Sequence, residues 1–157
     1  MTELTDYKYR GARALLILHE RHLREFYAVW NEAKVADLRL PIVDDPDYES
    51  LDHVLRHVLR AARGYMTWIC QVLGLPDPAI RQTPEAERIE SEAADYIDHL
   101  LEQWRAPLLK VEEESLNIVA KSRWGVDMAV ESMLEHAVMH PIRHTFQLQE
   151  LMKKQTN

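Results

Sequence analysis

The stretch HAVMHPIRH, residues 136 to 144, sets His136, His140 and His144 at four-residue intervals. On an α-helix such neighbours have Cβ atoms about 5–6 Å apart, close enough for two imidazoles to share one ion at about 2.0–2.1 Å from each nitrogen. The chemistry this spacing offers is ligation of a divalent metal. The three positions are not equivalent. Taking about 100° per residue with Val130 at zero, Leu148 returns to about 0°, Leu134 and Met152 fall at about +40° and Ala137 at about −20°. Those four mark the inward face. His144 lies inside that stripe at about −40°, His140 on its shoulder at about −80° and His136 at its edge at about −120°. An imidazole buried among aliphatic side chains costs about 1–3 kcal/mol if a ring nitrogen stays unpaired, so His144 needs a partner. His140, one turn away, can share an ion with it.

A lone pair of histidines on one helix is a weak signal, and a third ligand from another helix strengthens it. The segment LDHVLRHVLRAARGYM offers His53 and His57. A wheel anchored on Leu51, Leu55, Val58, Ala62 and Ile69 puts His57 about 130° from the apolar centre and His53 about 170°. Periodicity favours His57. His19, His22, His53 and His99 read as solvent-facing, although His99 flanks the apolar face of its helix much as His57 does. His53, His99 and His136 are the alternates to a member of the trio. Rival sites fail on their central motifs: no Glu-x-x-His tetrad for a di-iron bundle, no His-x-x-x-Glu of the hemerythrin type, and no His-Glu-x-x-His of a zincin.

Four amphipathic helices must carry these residues. Ala12, Leu15, Leu16, Leu23, Phe26, Tyr27 and Trp30 recur at helical steps and predict a first helix over about residues 8–37. RLPIVDDPDYES breaks the period with two prolines and ends on Ser50, a good N-cap for a second helix reaching Val72. GLPDP stops that helix. In TPEAE, Thr83 is the expected N-cap, Pro84 the first helical residue, and acids follow where the helix dipole favours them. The third helix buries Ala93, Tyr96, Ile97, Leu100, Leu101 and Trp104 and should end or kink at Pro107. KSRWGVD reads as the last loop, before a fourth helix over about residues 127–154 in which Pro141 removes one backbone hydrogen bond. Nothing reads as a strand. The expectation is all-α: one domain, residues 1–157, a four-helix bundle with longer loops between helices one, two and three.

Composition narrows the function. A formal charge of −7 argues against a nucleic-acid partner, and Arg56, Arg60 and Arg63 sit among apolar residues as an ordinary helix face. No 18-residue apolar run or leader pattern is visible, so neither a membrane span nor secretion is expected, and a cytoplasmic protein is. Cys70 is the one cysteine, excludes an internal disulfide, and lies in the apolar run YMTWICQVL, where a packed inert thiol is the expectation.

The order of motifs, LRHVLRAARGYM on a second helix and HAVMHPIRHTFQL on a last one, resembles the DinB/YfiT-like family of metalloenzymes over nearly the whole chain. The resemblance implies one divalent metal bound by His57, His140 and His144, with water in the remaining positions. The family's last motif usually reads His-x-x-x-His-Arg-Gly-Gln; here Thr145-Phe146 replaces Arg-Gly, and Gln147 is kept. Gln147 is assigned no role. Imidazole suits zinc, nickel, iron, manganese or copper, and leaves the metal's identity open. The resemblance also implies a small-molecule substrate, chemistry of the thiol-dependent transferase or hydrolase kind with a low-molecular-weight thiol as possible cosubstrate, and a homodimer. The alternatives are a non-catalytic metal- or ligand-binding bundle and a helical interaction module with incidental histidines.

Overall fold

The computed structural model describes residues 4–157. Four helices dominate it: α1 (Arg10–Val35), α2 (Leu51–Val72), α3 (Ala86–Arg105) and α4 (Val130–Thr156). They form the expected all-α four-helix bundle. α1 packs most extensively against α4, and α2 lies against both α3 and α4. The stripe on α1 runs Ala12, Leu16, His19, Leu23, Phe26, Trp30 and Ala33, steps of four and three that keep one face inward.

The tryptophans tie the helices together. A buried indole needs an acceptor for its N–H, and three find backbone carbonyls: Trp30 donates to Leu51 at 2.6 Å, Trp104 to Ala62 at 3.1 Å and Trp68 to Lys121 at 3.0 Å. Ser50 caps α2 as its sequence position suggests, accepting from the His53 amide at 3.3 Å. Pro141 lies within α4, which continues through it to Thr156. Cys70 is buried, and burial pushes its thiol up to about 11, which suits an inert packing role. Among the described residues, no helix is long and apolar enough to cross a membrane.

Three expectations need correction. The N-cap of α3 is Glu85, not Thr83; Thr83 is buried and its hydroxyl bonds the Tyr96 hydroxyl at 3.0 Å, so tertiary pairing takes it from the capping position. The longest connection is the one before α4, residues 106–129, and not those between the first three helices, residues 36–50 and 73–85. That connection also holds a small antiparallel hairpin, β1 (Val119–Lys121) paired with β2 (Asp127–Ala129), where no strand was expected. Strands of three mostly exposed residues carry no readable alternation. Their turn is closed by Gly125 at φ +84°, a left-handed position glycine adopts without strain, and by the Val126 amide donating to Ser122 Oγ at 3.1 Å.

Candidate metal centre

α2 and α4 each supply one side of the site. His57 stands on α2, His140 and His144 one turn apart on α4, and one ring nitrogen from each lies within 4.8 Å of the other two. His57 Nε2 is 3.1 Å from His140 Nε2. The ring centroids are 4.9 Å apart for His57 and His140, 5.1 Å for His57 and His144, and 4.7 Å for His140 and His144. Nitrogens bound to one ion at about 2.0–2.1 Å, at octahedral to tetrahedral angles, stand roughly 3.0–3.4 Å apart. The closest pair already has that separation, and the third nitrogen lies within 4.8 Å of both.

The hydrogen bonds behind the rings fix their tautomers. A carboxylate can only accept, so the 2.9 Å contact between His57 Nδ1 and Asp47 Oδ2 places a proton on Nδ1. His144 Nδ1 meets Gln147 Oε1 at 2.9 Å and is likewise the donor. In each neutral ring Nε2 is then a lone pair directed away from the partner, into the site. Asp47 is itself held: it sits in the 3₁₀ turn Pro46–Tyr48, its amide donates to Asp45 Oδ1 at 3.0 Å, and Arg60 Nη2 donates to both its carboxylate oxygens at 3.0 Å. His140 Nδ1 is buried with no hydrogen-bond partner among the described residues. With an ion on Nε2, which faces His57 Nε2, this nitrogen would carry the ring proton. The donor set therefore fits a divalent cation: all three atoms are imidazole nitrogens, two of them pre-set as lone pairs.

Burial favours the neutral form of the two α4 rings. Burial, then the neighbouring His144, His57, His136 and Arg143, lowers His140 to about 2. Burial also lowers His144, opposed by its bond to Gln147. Proton competition at these two positions is weak at neutral pH.

The remaining histidines are placed elsewhere. His53 is occupied by Ser50 Oγ at 2.8 Å and Glu49 at 3.3 Å, and His22 by Glu25 at 3.0 Å. His99 Nε2 accepts the Arg81 amide at 3.0 Å, pinning the segment before α3. His136 lines the same cleft but its ring is 6.3 Å from that of His140; it packs against Tyr65 and Trp124. His19 contradicts its solvent-facing assignment: it is 1% exposed, stacked on Trp104 with ring centroids 3.8 Å apart, and neither ring nitrogen has a hydrogen-bond partner among the described residues.

Two supporting residues escaped the sequence reading. Asp47 shares its segment with Asp44, Asp45 and Glu49, and no periodicity singles it out. Gln147 was quoted without a role; its three-residue offset from His144 is the signal that, read on a helix, brings the two together. The trio opens onto a cleft of about 570 Å³ walled by Tyr48, Tyr65, Trp124 and Arg143. Comparison with protein-family models, curated proteins and solved structures finds no match to this chain.

Proposed function

We propose that the chain is a metal-dependent enzyme whose divalent ion is held by His57, His140 and His144, acting as a thiol-dependent transferase or a hydrolase on a small molecule. The observation that carries this reading is the pair of rings whose Nδ1 protons are committed to Asp47 and Gln147, leaving two Nε2 lone pairs beside His140. The motif order that resembles the DinB/YfiT-like family supports it from the sequence side. Three neutral ligands and an open cleft suit catalysis better than structural support, where four protein ligands close the site. When bound, such an ion supplies a Lewis acid that lowers the pKa of water or a thiol, or polarises a carbonyl.

The chain's own groups have complementary tasks. Asp47 and Gln147 orient the ligand rings. Among the described residues, those lining the cleft include histidines, tyrosines and Arg143 and no carboxylate. Tyr65, pushed up to about 12 by burial, stays protonated and can only donate or accept hydrogen bonds. Tyr48, Tyr65 and Trp124 give the cleft beside the trio aromatic walls for a substrate to pack on.

Elemental analysis of protein purified without a histidine tag tests the reading. About one transition-metal ion per chain is expected, with loss in His144→Ala. A metal-free wild type that takes up no added zinc, nickel or iron would favour the interaction module. Stoichiometric metal with silence in both thiol-transfer and ester or amide hydrolysis screens would favour the non-catalytic bundle.

A further inference from the structure

We infer that the groove running from His57 beneath the β1–β2 hairpin takes a small carboxylate-bearing substrate with a flat apolar body, its carboxylate held by Arg123. This deepens the metal-enzyme reading and rests on it, because His57, Tyr65 and Trp124 line both this groove and the metal cleft. The groove encloses about 200 Å³. A cavity of about 150 Å³ accommodates benzene, so one ring with a short tail is the right size. Its walls are Tyr65, Trp68, Trp124 and Met133, which favour stacking and apolar contact over hydrogen bonding.

Charge then selects the head group. Acidic residues outnumber basic ones 26 to 19 in the chain, yet neither cavity is lined by an Asp or Glu, while Arg60, Arg123 and Arg143 are present. Arg60 is neutralised by Asp47. Arg123 and Arg143 make no ion pair or hydrogen bond with the described residues. An unpaired guanidinium beside aromatic walls is a two-pronged carboxylate receptor.

A glycine in mid-helix completes the argument. Gly64 lies inside α2, where alanine is the more stable choice. A Cβ built there meets Arg123 Nη1 at 3.1 Å and Cζ at 3.7 Å and no other heavy atom within 4 Å. The bare turn of α2 thus seats the guanidinium. The hairpin that carries Arg123 is fixed over the groove by Trp68 Nε1 donating to the Lys121 carbonyl.

The test uses 3-phenylpropionate and its neutral isostere 3-phenylpropanamide, titrated by fluorescence of the groove tryptophans. Wild type, Arg123→Gln and Gly64→Ala are each measured ion-loaded and after chelation, with metal content from elemental analysis and folding from circular dichroism. The acid should bind roughly tenfold or more tighter than the amide in both preparations. Arg123→Gln should erase that preference while leaving metal content and amide affinity unchanged. Gly64→Ala should keep or raise thermal stability and weaken acid binding less than Arg123→Gln does, because its methyl group crowds the end of the guanidinium without removing it. Equal binding of acid and amide to wild type, no binding of either, or a preference that survives Arg123→Gln would overturn the proposal. A preference seen only in ion-loaded protein would assign the carboxylate to the ion and would also overturn it. Failure of the metal reading is seen separately, as an empty elemental analysis.

Discussion

Asp47 governs His57 from the side away from the proposed ion. Its carboxylate holds the Nδ1 proton and so orients the ring with Nε2 as the ligating atom. Asp47→Asn keeps the shape but loses the charge, and should weaken metal binding about 10- to 100-fold in a chelator competition, with the helical circular dichroism unchanged. Undiminished affinity would mean that Asp47 serves only Arg60. His19 tests burial instead. It is neutral in the folded protein, lowered by burial to about 3, against 6.5 in the unfolded chain. Its contribution to stability is therefore intact above pH 6.5 and declines as the pH falls towards 3, because the unfolded chain takes up the proton first; the slope reaches about 1.4 kcal/mol per pH unit. His19→Phe keeps a flat ring on Trp104 and should flatten that decline between pH 7.5 and 5 in urea denaturation; an unchanged decline would clear His19. Periodicity pointed to His144 and His140, which lie in or beside an apolar stripe; it favoured His57, about 130° from its stripe, only over His53, and the resemblance in motif order completed the trio. His19 was equally readable, because the steps Ala12, Leu16, His19, Leu23, Phe26 and Trp30 pass through it, but a histidine was presumed polar. Asp47 was not readable, since its position depends on how a loop folds back onto α2.

The helices follow from their own sequences. Ser50 starts α2 where a capping residue precedes a helical apolar pattern, and each helix turns the stripe its spacing predicts towards the core, with Leu15, Tyr27, Leu151 and Met152 only partly buried at its edge. Thr83 shows the limit: cap preference is worth about 0.5–2 kcal/mol, and a buried hydroxyl pairing with Tyr96 competes with it. The hairpin is the least legible element because its order comes from contacts with α2 and α4, not from alternation. Trp68 is one of those contacts, through its bond to the Lys121 carbonyl. Trp68→Phe should cost about 1 kcal/mol and raise hydrogen exchange across residues 119–129 while leaving the amides of α1 and α3 protected. Uniform loss of protection would instead make Trp68 a general core residue.

At the scale of the molecule, a bundle with net charge −7 surrounds a cleft lined without carboxylates. A bundle brings together residues far apart in sequence when their helices are neighbours, and α2 and α4 are neighbours here. The overall architecture was readable because four apolar stripes need one another; which stripes face each other was not, since periodicity gives a face and no partner. The central claim is that three imidazoles converge on one dication. X-ray absorption spectroscopy of the metal-loaded protein tests it most directly. The account predicts about three imidazole nitrogens at about 2.0–2.1 Å, recognised by the outer-shell scattering of their rings, with oxygen completing the shell, and one fewer imidazole, or no bound ion, in His140→Ala. A shell of oxygen scatterers alone, or a spectrum identical in wild type and His140→Ala, would contradict it.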